Sequence, residues 1–363
     1  MTRTVLFTGD IFRLQPRGGI TRYFLEVMAR LQRPAELILG VHLSAGVHAG
    51  AARVRAALRI PAVRGAHRIA ALVNPVVDAC WLRGRQGVIV HPTYYRDPRG
   101  LPAREPLVVT VHDMTHERLP AQFRARWWSA RDPVRHKAAM CRRADRILCY
   151  TEATRRDLIE LLGVSPEKIR VAPLASRDWS TVSPAPVPGA AAPFFLWVGE
   201  RHAYKNFEAT LAGWAACPEA AATHLLCVGG GPFRAHERAA IERLGAGARV
   251  RQHTASDAEL RWAYEHAVGL LYTSLWEGFG LPLVEAMALG CPVVCSDRAP
   301  LREVGGDAAS YVDPEDRDSI REGVRRCLAE GRDPDSAVRR ARAARFSWDE
   351  CARRHEAVYR ELE

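Results

Sequence analysis

The 363-residue chain has no CxxC pair and no Cys/His cluster with zinc spacing, although it carries nine cysteines. That pattern argues against a structural metal or a dithiol redox centre. Most of the cysteines, from Cys80 to Cys351, fall inside expected strands and helices and read as buried free thiols of a reducing compartment. Long apolar runs are missing too. No stretch of about 18 uninterrupted apolar residues occurs, so no membrane-spanning helix is expected. The opening "MTRTVLFTGD" has only a short apolar run before Asp10 and reads as a first strand rather than a secretory signal. A cytoplasmic protein is expected, with peripheral attachment to the inner face of the plasma membrane left open. Acidic residues are scarce in one half only: residues 1–170 hold 29 Lys/Arg against 14 Asp/Glu, and the remainder 23 against 27. The basic half implies an anionic partner, whether nucleic acid, anionic lipid or a phosphorylated substrate. Zinc fingers, RNP-type aromatic strands and basic zippers are absent, so nucleic acid is not the expected partner.

What the sequence does contain is alternation. "TVLFT", "ELILGVH", "GVIVH", "PLVVTVH" and "RILCYT" are each followed by a longer amphipathic or polar segment, the pattern of βαβ units on a parallel sheet. "FFLWVG", "THLLCVGG", "GLLYTS" and "CPVVCS" repeat it. Between the two sets, "PLASRDWSTVSPAPVPGAAAP" has five prolines and reads as a linker. The expected organisation is an α/β chain with a Rossmann-like domain over 1–175, a Pro-rich linker over 176–192, a second Rossmann-like domain over 193–345 and a helix over 346–363. Two such doubly wound domains would face each other across a cleft.

Ligands of open α/β sheets bind outside the carboxyl ends of the strands, which makes the loops after strands the candidate site. "GDIFRLQPRGGITRYF" puts Gly18 and Gly19 ahead of the apolar run Ile20, Tyr23, Phe24, Val27. Amides there either face an anion or sugar hydroxyls, or simply make a turn. "VVTVHDMTHERLP" puts His112 and Asp113 directly after a hydrophobic strand. The pair suits acid/base work, metal ligation or sugar recognition, against a purely structural histidine. "HPTYY" brings Tyr94 to the same rim, as lining or as packing. "WVGERHAYKNF" sets Arg201 and Lys205 near a helix start, a favourable place for a diphosphate. It is not a Walker A loop, because the second glycine and the Lys-Ser/Thr pair are missing.

"SLWEGFGLPLVEAMALG" sets Glu277 and Glu285 eight positions apart around Gly278, Phe279, Gly280 and Leu281. Pro282 suits the first helical position, Glu285 the first turn and Gly290 the helix end. Two carboxylates beside an anion-binding turn point to hydroxyl recognition next to phosphate recognition; a helix cap and an exposed acid are the plainer alternative.

These residues resemble the retaining, nucleotide-sugar-dependent family 4 glycosyltransferases of the GT-B fold, also described as group 1. Glu277 and Glu285 match their E-x7-E motif, and "GGITRYF", "VVTVHDMTHERLP", "VGERHAYKNF", "CVGGGP", "SDAELRWAYEHA" and "LREVGGDAASYVDPED" follow in the family's order. The resemblance implies that Glu277 meets the donor sugar, Phe279 to Leu281 offer backbone amides to sugar and phosphate, Gly278 belongs to the same nucleotide-sugar site, and Glu285 holds the nucleotide ribose. Arg201 and Lys205 would neutralise the diphosphate, His112 would face the donor sugar, and the Gly18-Gly19 loop would close over donor or acceptor. His112, Glu277, Arg201 and Lys205 form the implied catalytic set. Retention, no cofactor, no metal and a last helix that crosses back onto the first domain are implied as well. Two departures stand out: Glu200 precedes Arg201 where many relatives have Gly-Arg, and Tyr204 precedes Lys205 where many have Arg.

The donor suggested by "GGITRYF" with "KNF" is GDP-mannose, with UDP- and dTDP-sugars as alternatives. A basic, Trp-bearing stretch with Trp127, Trp128, Arg142 and Arg143 is expected on the acceptor or membrane side along with Tyr94. It would suit a saccharide or lipid-linked saccharide acceptor in polysaccharide, O-antigen or glycolipid synthesis, next to an anionic membrane surface. A sugar-nucleotide epimerase on the same fold and a non-enzymatic nucleic-acid binder are the competing readings.

Overall fold

Short β-branched and aliphatic runs form most strands of the computed structural model, which describes residues 2–15, 18–42, 52–60, 66–123, 132–333 and 335–363. The chain divides into two units, Met1–Leu174 with Ser347–Glu363, and Ala175–Phe346. The first contains β1 (Thr4–Thr8), β2 (Ala35–His42), β3 (Arg53–Arg59), β4 (Val88–Pro92), β5 (Val108–Val111), β6 (Arg146–Cys149) and β7 (Ile169–Val171). They pair in the orders β3-β2-β1-β4 and β5-β6-β7, all parallel, and a parallel bridge between Val90 and Leu107 joins the two sets. Parallel strands covered on both faces are apolar throughout rather than alternating, and β1, β4 and β5 are buried along nearly their whole length for that reason.

Strand order reverses between β1 and β4, and polar groups close that point. The Thr93 hydroxyl donates to the Thr8 carbonyl (2.6 Å) and accepts from the Ile11 amide (3.1 Å). Beside it Asp78 takes two hydrogen bonds from Arg13 (2.9 and 2.7 Å) and one from Arg96 (2.7 Å). Burial opposes ionisation of Asp78, but the two guanidiniums hold its carboxyl below the usual range.

Ser347 caps the last helix, Trp348–Arg360, by accepting from the Glu350 amide (3.1 Å). This helix lies against helix Gly19–Arg30 of the first unit. The interface is a buried polar chain. Tyr23 Oη lies 2.6 Å from His355 Nε2 and 2.9 Å from Thr110 Oγ1; His91 lies 2.9 Å from Thr110 Oγ1 and 2.7 Å from Tyr359 Oη. Arg33, its side chain 4% exposed, pairs with Glu356 (2.8 Å) and Glu363 (3.1 Å) at the rim.

The second unit contains β8 (Phe194–Val198), β9 (His224–Val228), β10 (Val250–His253), β11 (Gly269–Tyr272), β12 (Val293–Ser296) and β13 (Ser310–Val312). They form one parallel sheet in the order β10-β9-β8-β11-β12-β13, which reverses between β8 and β11. The Pro-rich segment is not free: Trp179 and Val187 are buried, Arg261 donates to the Trp179 carbonyl (2.6 Å), and the Ala185 amide donates to Ala258 (3.1 Å). Its prolines carry no N–H, so its carbonyls find side-chain donors on the neighbouring helix instead. All nine cysteines are free, and only Cys80 is exposed. Among the described residues no helix is long and apolar enough to cross a membrane.

Burial pushes His355 down to about 4 and His91 well below 6.5, so both are neutral in the fold. The unfolded chain takes up these protons below about 6.5 while the folded chain does not, so stability falls as pH drops through that window. Urea midpoints measured between pH 6.5 and 5 should fall less steeply for His355→Asn than for the wild type. The expected difference approaches about 1.4 kcal/mol per pH unit, one proton's worth.

Candidate functional site

The reversal between β8 and β11 puts the loops after these strands, residues 199–206 and 273–280, side by side at the sheet's carboxyl edge. Several bonds join them. The Leu275 amide donates to the Tyr204 carbonyl (2.8 Å), and Asn206 Nδ2 donates to the carbonyls of Thr273 (3.1 Å) and Pro314 (2.6 Å). Asn206 has φ +61, a left-handed conformation that asparagine tolerates better than most residues. Lys205 Nζ donates to Glu277 Oε1 at 2.6 Å, with the two side chains 15% and 12% exposed. Burial works against the Lys205 charge, but Glu277, with Tyr272 and Tyr204, raises its pKa well above the ordinary lysine value. Lys205 is therefore a fixed cation, paired with Glu277 across the two loops.

Gly280 has φ +97, and a Cβ there would lie 2.7 Å from Leu301 Cδ2 and 3.3 Å from Tyr272 Cε1. Only glycine fits this turn. The Phe279 side chain is buried edge-on to Phe346 (5.4 Å between centroids). Gly278 and Gly280 have no side chains, so what these three positions offer a ligand is backbone.

Helix Leu281–Ala288 begins one residue earlier than the sequence suggests, which corrects two expectations. Pro282 is its second residue, and Glu285 is its fifth, beyond the first turn in which the helix dipole acts. Glu285 is not a helix cap. It is 4% exposed and accepts from Tyr264 Oη at 3.1 Å.

Arg201 also departs from expectation. Its guanidinium donates to the carbonyls of Gly229 (2.8 Å), Gly230 (3.2 Å), Gly231 (2.6 Å) and Pro232 (3.2 Å), and Nε lies 3.2 Å from Glu237 Oε1. With its side chain 1% exposed, it holds the "GGGP" loop by its carbonyls. The reason is local: Gly229, Gly230 and Gly231 all have positive φ, and the loop they shape wraps its carbonyls around the arginine.

The other site candidates lie in the first unit. His112, just past β5, is 5% exposed; its Nδ1 lies 2.6 Å from Tyr150 Oη and its ring stacks on Tyr94 (5.8 Å, 12°). Nε2 is buried without a hydrogen-bond partner among the described residues. Burial pushes His112 down to about 3, so it is a neutral imidazole at physiological pH. Lys137, buried, donates to the Asp113 carbonyl (2.9 Å) and to Glu117 (2.8 Å). Asp113 thus contributes a structural carbonyl. Gly18 precedes helix Gly19–Arg30 with extended backbone, and no side chain caps that helix start. Arg143, expected on the acceptor side, instead donates to the carbonyls of Pro98 (2.5 Å), Leu101 and Pro102. Arg142 is exposed at the end of helix Pro133–Arg143. Trp127 and Trp128 lie outside the described residues.

Residues 187–344 match the family described as glycosyl transferases group 1, and residues 17–175 match glycosyltransferase family 4. The O-antigen chain mannosyltransferase B of Escherichia coli is 30% identical over 307 residues, covering 77% of this chain and 76% of that protein. The chain belongs to the glycosyltransferase group 1 family. This glycosyltransferase is also 31% identical over 274 residues to the MMP alpha-(1->4)-mannosyltransferase of Mycolicibacterium hassiacum, covering 70% of this chain and 65% of that one. Among solved structures, Anabaena HepE in complex with UDP and glucose has a TM-score of 0.73 at 16% identity, covering 99% of this chain and 100% of that one. The shared fold is GT-B, two α/β units each built on a parallel sheet.

Sequence reading of the glycosyltransferase missed the partners of its candidate residues: Tyr264 behind Glu285, Tyr150 behind His112, and the carbonyl cage around Arg201. Tyr264 does carry a signal, since it falls on the apolar side of the capped helix that opens at "SDAELRWAYEHA". Replacing Arg201 by Met should lower the stability of this glycosyltransferase by about 3–5 kcal/mol, because Glu237 is left charged and buried. Adding Glu237→Met should recover most of that loss in the urea midpoint.

Proposed function

We propose that this glycosyltransferase transfers a mannosyl residue from a nucleotide sugar, GDP-mannose first among the candidates, to a saccharide acceptor carried on a lipid, in the assembly of a bacterial surface polysaccharide. Anomeric configuration is retained and no metal is needed. The observation that carries the reading is the pair of carboxylates on either side of the Gly280 turn, Glu277 tied to the cation Lys205 and Glu285 to the phenol of Tyr264.

In this reading Lys205 meets the donor diphosphate, Glu277 a sugar hydroxyl and Glu285 the ribose, with backbone of residues 278–281 between them. His112, neutral, offers Nε2 to the donor sugar. The acceptor hydroxyl attacks the anomeric carbon from the face the diphosphate leaves. The C1–O bond to phosphate breaks, the C1–O bond to the acceptor forms, and the acceptor proton passes to the departing phosphate oxygen. The protein supplies no base for this step. Its contribution is electrostatic: Lys205 and backbone amides favour the charge that grows on the diphosphate. Arg201 acts at one remove, by shaping the loop at residues 229–232.

Mannose is favoured because two relatives are named as mannosyltransferases, one of them acting in the O-antigen chain. UDP- and dTDP-sugars stay in the test because HepE was solved with UDP and glucose. The excess of basic residues in the first 170 positions suits an anionic lipid surface near the acceptor.

Thermal unfolding with GDP-, UDP- and dTDP-sugars tests the reading. The true donor at a hundred times its Kd adds about 2.7 kcal/mol. GDP-mannose should raise the midpoint of the wild type but not of Glu285→Ala, and NMR of the product should show the donor's anomeric configuration. A protein that no nucleotide sugar stabilises contradicts the assignment.

A further inference from the structure

The two carboxylates of the site are held by different chemistry. Glu277 has the cation Lys205 beside the phenol of Tyr272, whereas the hydrogen bond seen at Glu285 comes from the phenol of Tyr264. A cation cancels the charge it binds, while a phenol only aims it. A carboxylate has about four lone-pair positions, so one donor can fix its plane and leave capacity for further hydroxyls.

We propose that Tyr264 is a positioning residue for nucleotide ribose: its hydroxyl orients the Glu285 carboxylate so that a ribose diol, rather than the base or the sugar, is what this carboxylate recognises. The proposal rests on the donor reading above. Tyr264 is fully buried, and the helix that carries it, Asp257–His266, is anchored at both ends. At the start, Ser256 and Glu259 form a reciprocal capping box, with Glu259 accepting from the Ser256 amide at 2.7 Å. At the end, Arg332 donates to the carbonyls of Tyr264 (3.0 Å) and Ala267 (2.8 Å). The phenol ring also packs edge-on against Trp179, 6.1 Å between centroids. A side chain pinned at both backbone ends and across its ring places its hydroxyl with little freedom, which is what a positioning group requires. Burial first, then the Glu285 charge, raises the Tyr264 pKa well above 10, so the hydroxyl keeps its proton and donates throughout the physiological range.

The test compares GDP and UDP with their 2′,3′-dideoxy forms by titration calorimetry on the full chain. The wild type should bind GDP or UDP more tightly than the dideoxy form. Tyr264→Phe, folded by circular dichroism, should weaken binding of the ribonucleotide about tenfold, about 1.4 kcal/mol, and leave the dideoxy affinity unchanged. In a Glu285→Gln background the same substitution should change ribonucleotide affinity less than twofold. Equal losses for both nucleotides, or no loss for either, would show that Tyr264 only packs and would overturn the proposal while leaving the donor reading intact. A wild type that binds neither nucleotide overturns both.

Discussion

The ion pair between Lys205 and Glu277 is the interaction on which the site depends. It crosses the point where the order of the second sheet reverses, and it joins a loop from β8 to a loop from β11. Strand order explains why this can happen: outward winding on both sides leaves no crossover helix over the space between these two strands. Two carbonyl contacts, from Leu275 to Tyr204 and from Asn206 to Thr273, hold the loops together beneath the pair. An exposed ion pair of this kind contributes little to stability. A mostly buried one, with a cation held charged by Glu277 and two phenols, is an electrostatic environment set in advance, which is what the proposed contact with a diphosphate requires.

The first unit uses a different device. Its closing helix is held by neutral groups: two histidines, two tyrosines and a threonine linked in one buried chain, with arginine-carboxylate pairs only at the rim. Buried polar networks are stabilising only when every member finds a partner. Both imidazoles achieve that in neutral form, at the cost of sensitivity to acid. Beside this network, His112 has one ring nitrogen satisfied and one not.

Much of this was legible in the residues, and the failures have physical causes. Alternating apolar runs located β1, β2, β4, β5, β6, β8, β9, β11 and β12, because parallel strands buried on both faces leave a continuous aliphatic signature; β3 and β10, rich in charged and polar residues, and the three-residue β7 and β13 leave none. The eight-residue separation of Glu277 and Glu285, with glycines between them, located the turn. The partners of Arg201 were not legible, because position after a strand says where a side chain starts, not where a long flexible one ends; the carbonyls around it come from a loop about 30 residues further on. Glu285 was placed in the first helical turn because proline usually opens a helix, whereas here Leu281 precedes it. Tyr264 was missed because a buried tyrosine in an amphipathic helix looks like any other core aromatic. Its hydrogen bond spans 21 positions and has no local trace. The Pro-rich segment looked like a linker because composition reports what a stretch cannot form, not what it packs against.

The central claim is that Lys205 serves the diphosphate and Glu277 the sugar. Titration calorimetry of Lys205→Met and Glu277→Gln, each with a nucleoside diphosphate and with the matching nucleotide sugar, tests it directly. The account predicts that Lys205→Met weakens both ligands at least tenfold, whereas Glu277→Gln weakens only the nucleotide sugar and leaves the sugar-free diphosphate bound as tightly or more so. Equal effects of Glu277→Gln on both ligands, or undiminished binding by Lys205→Met, would contradict it.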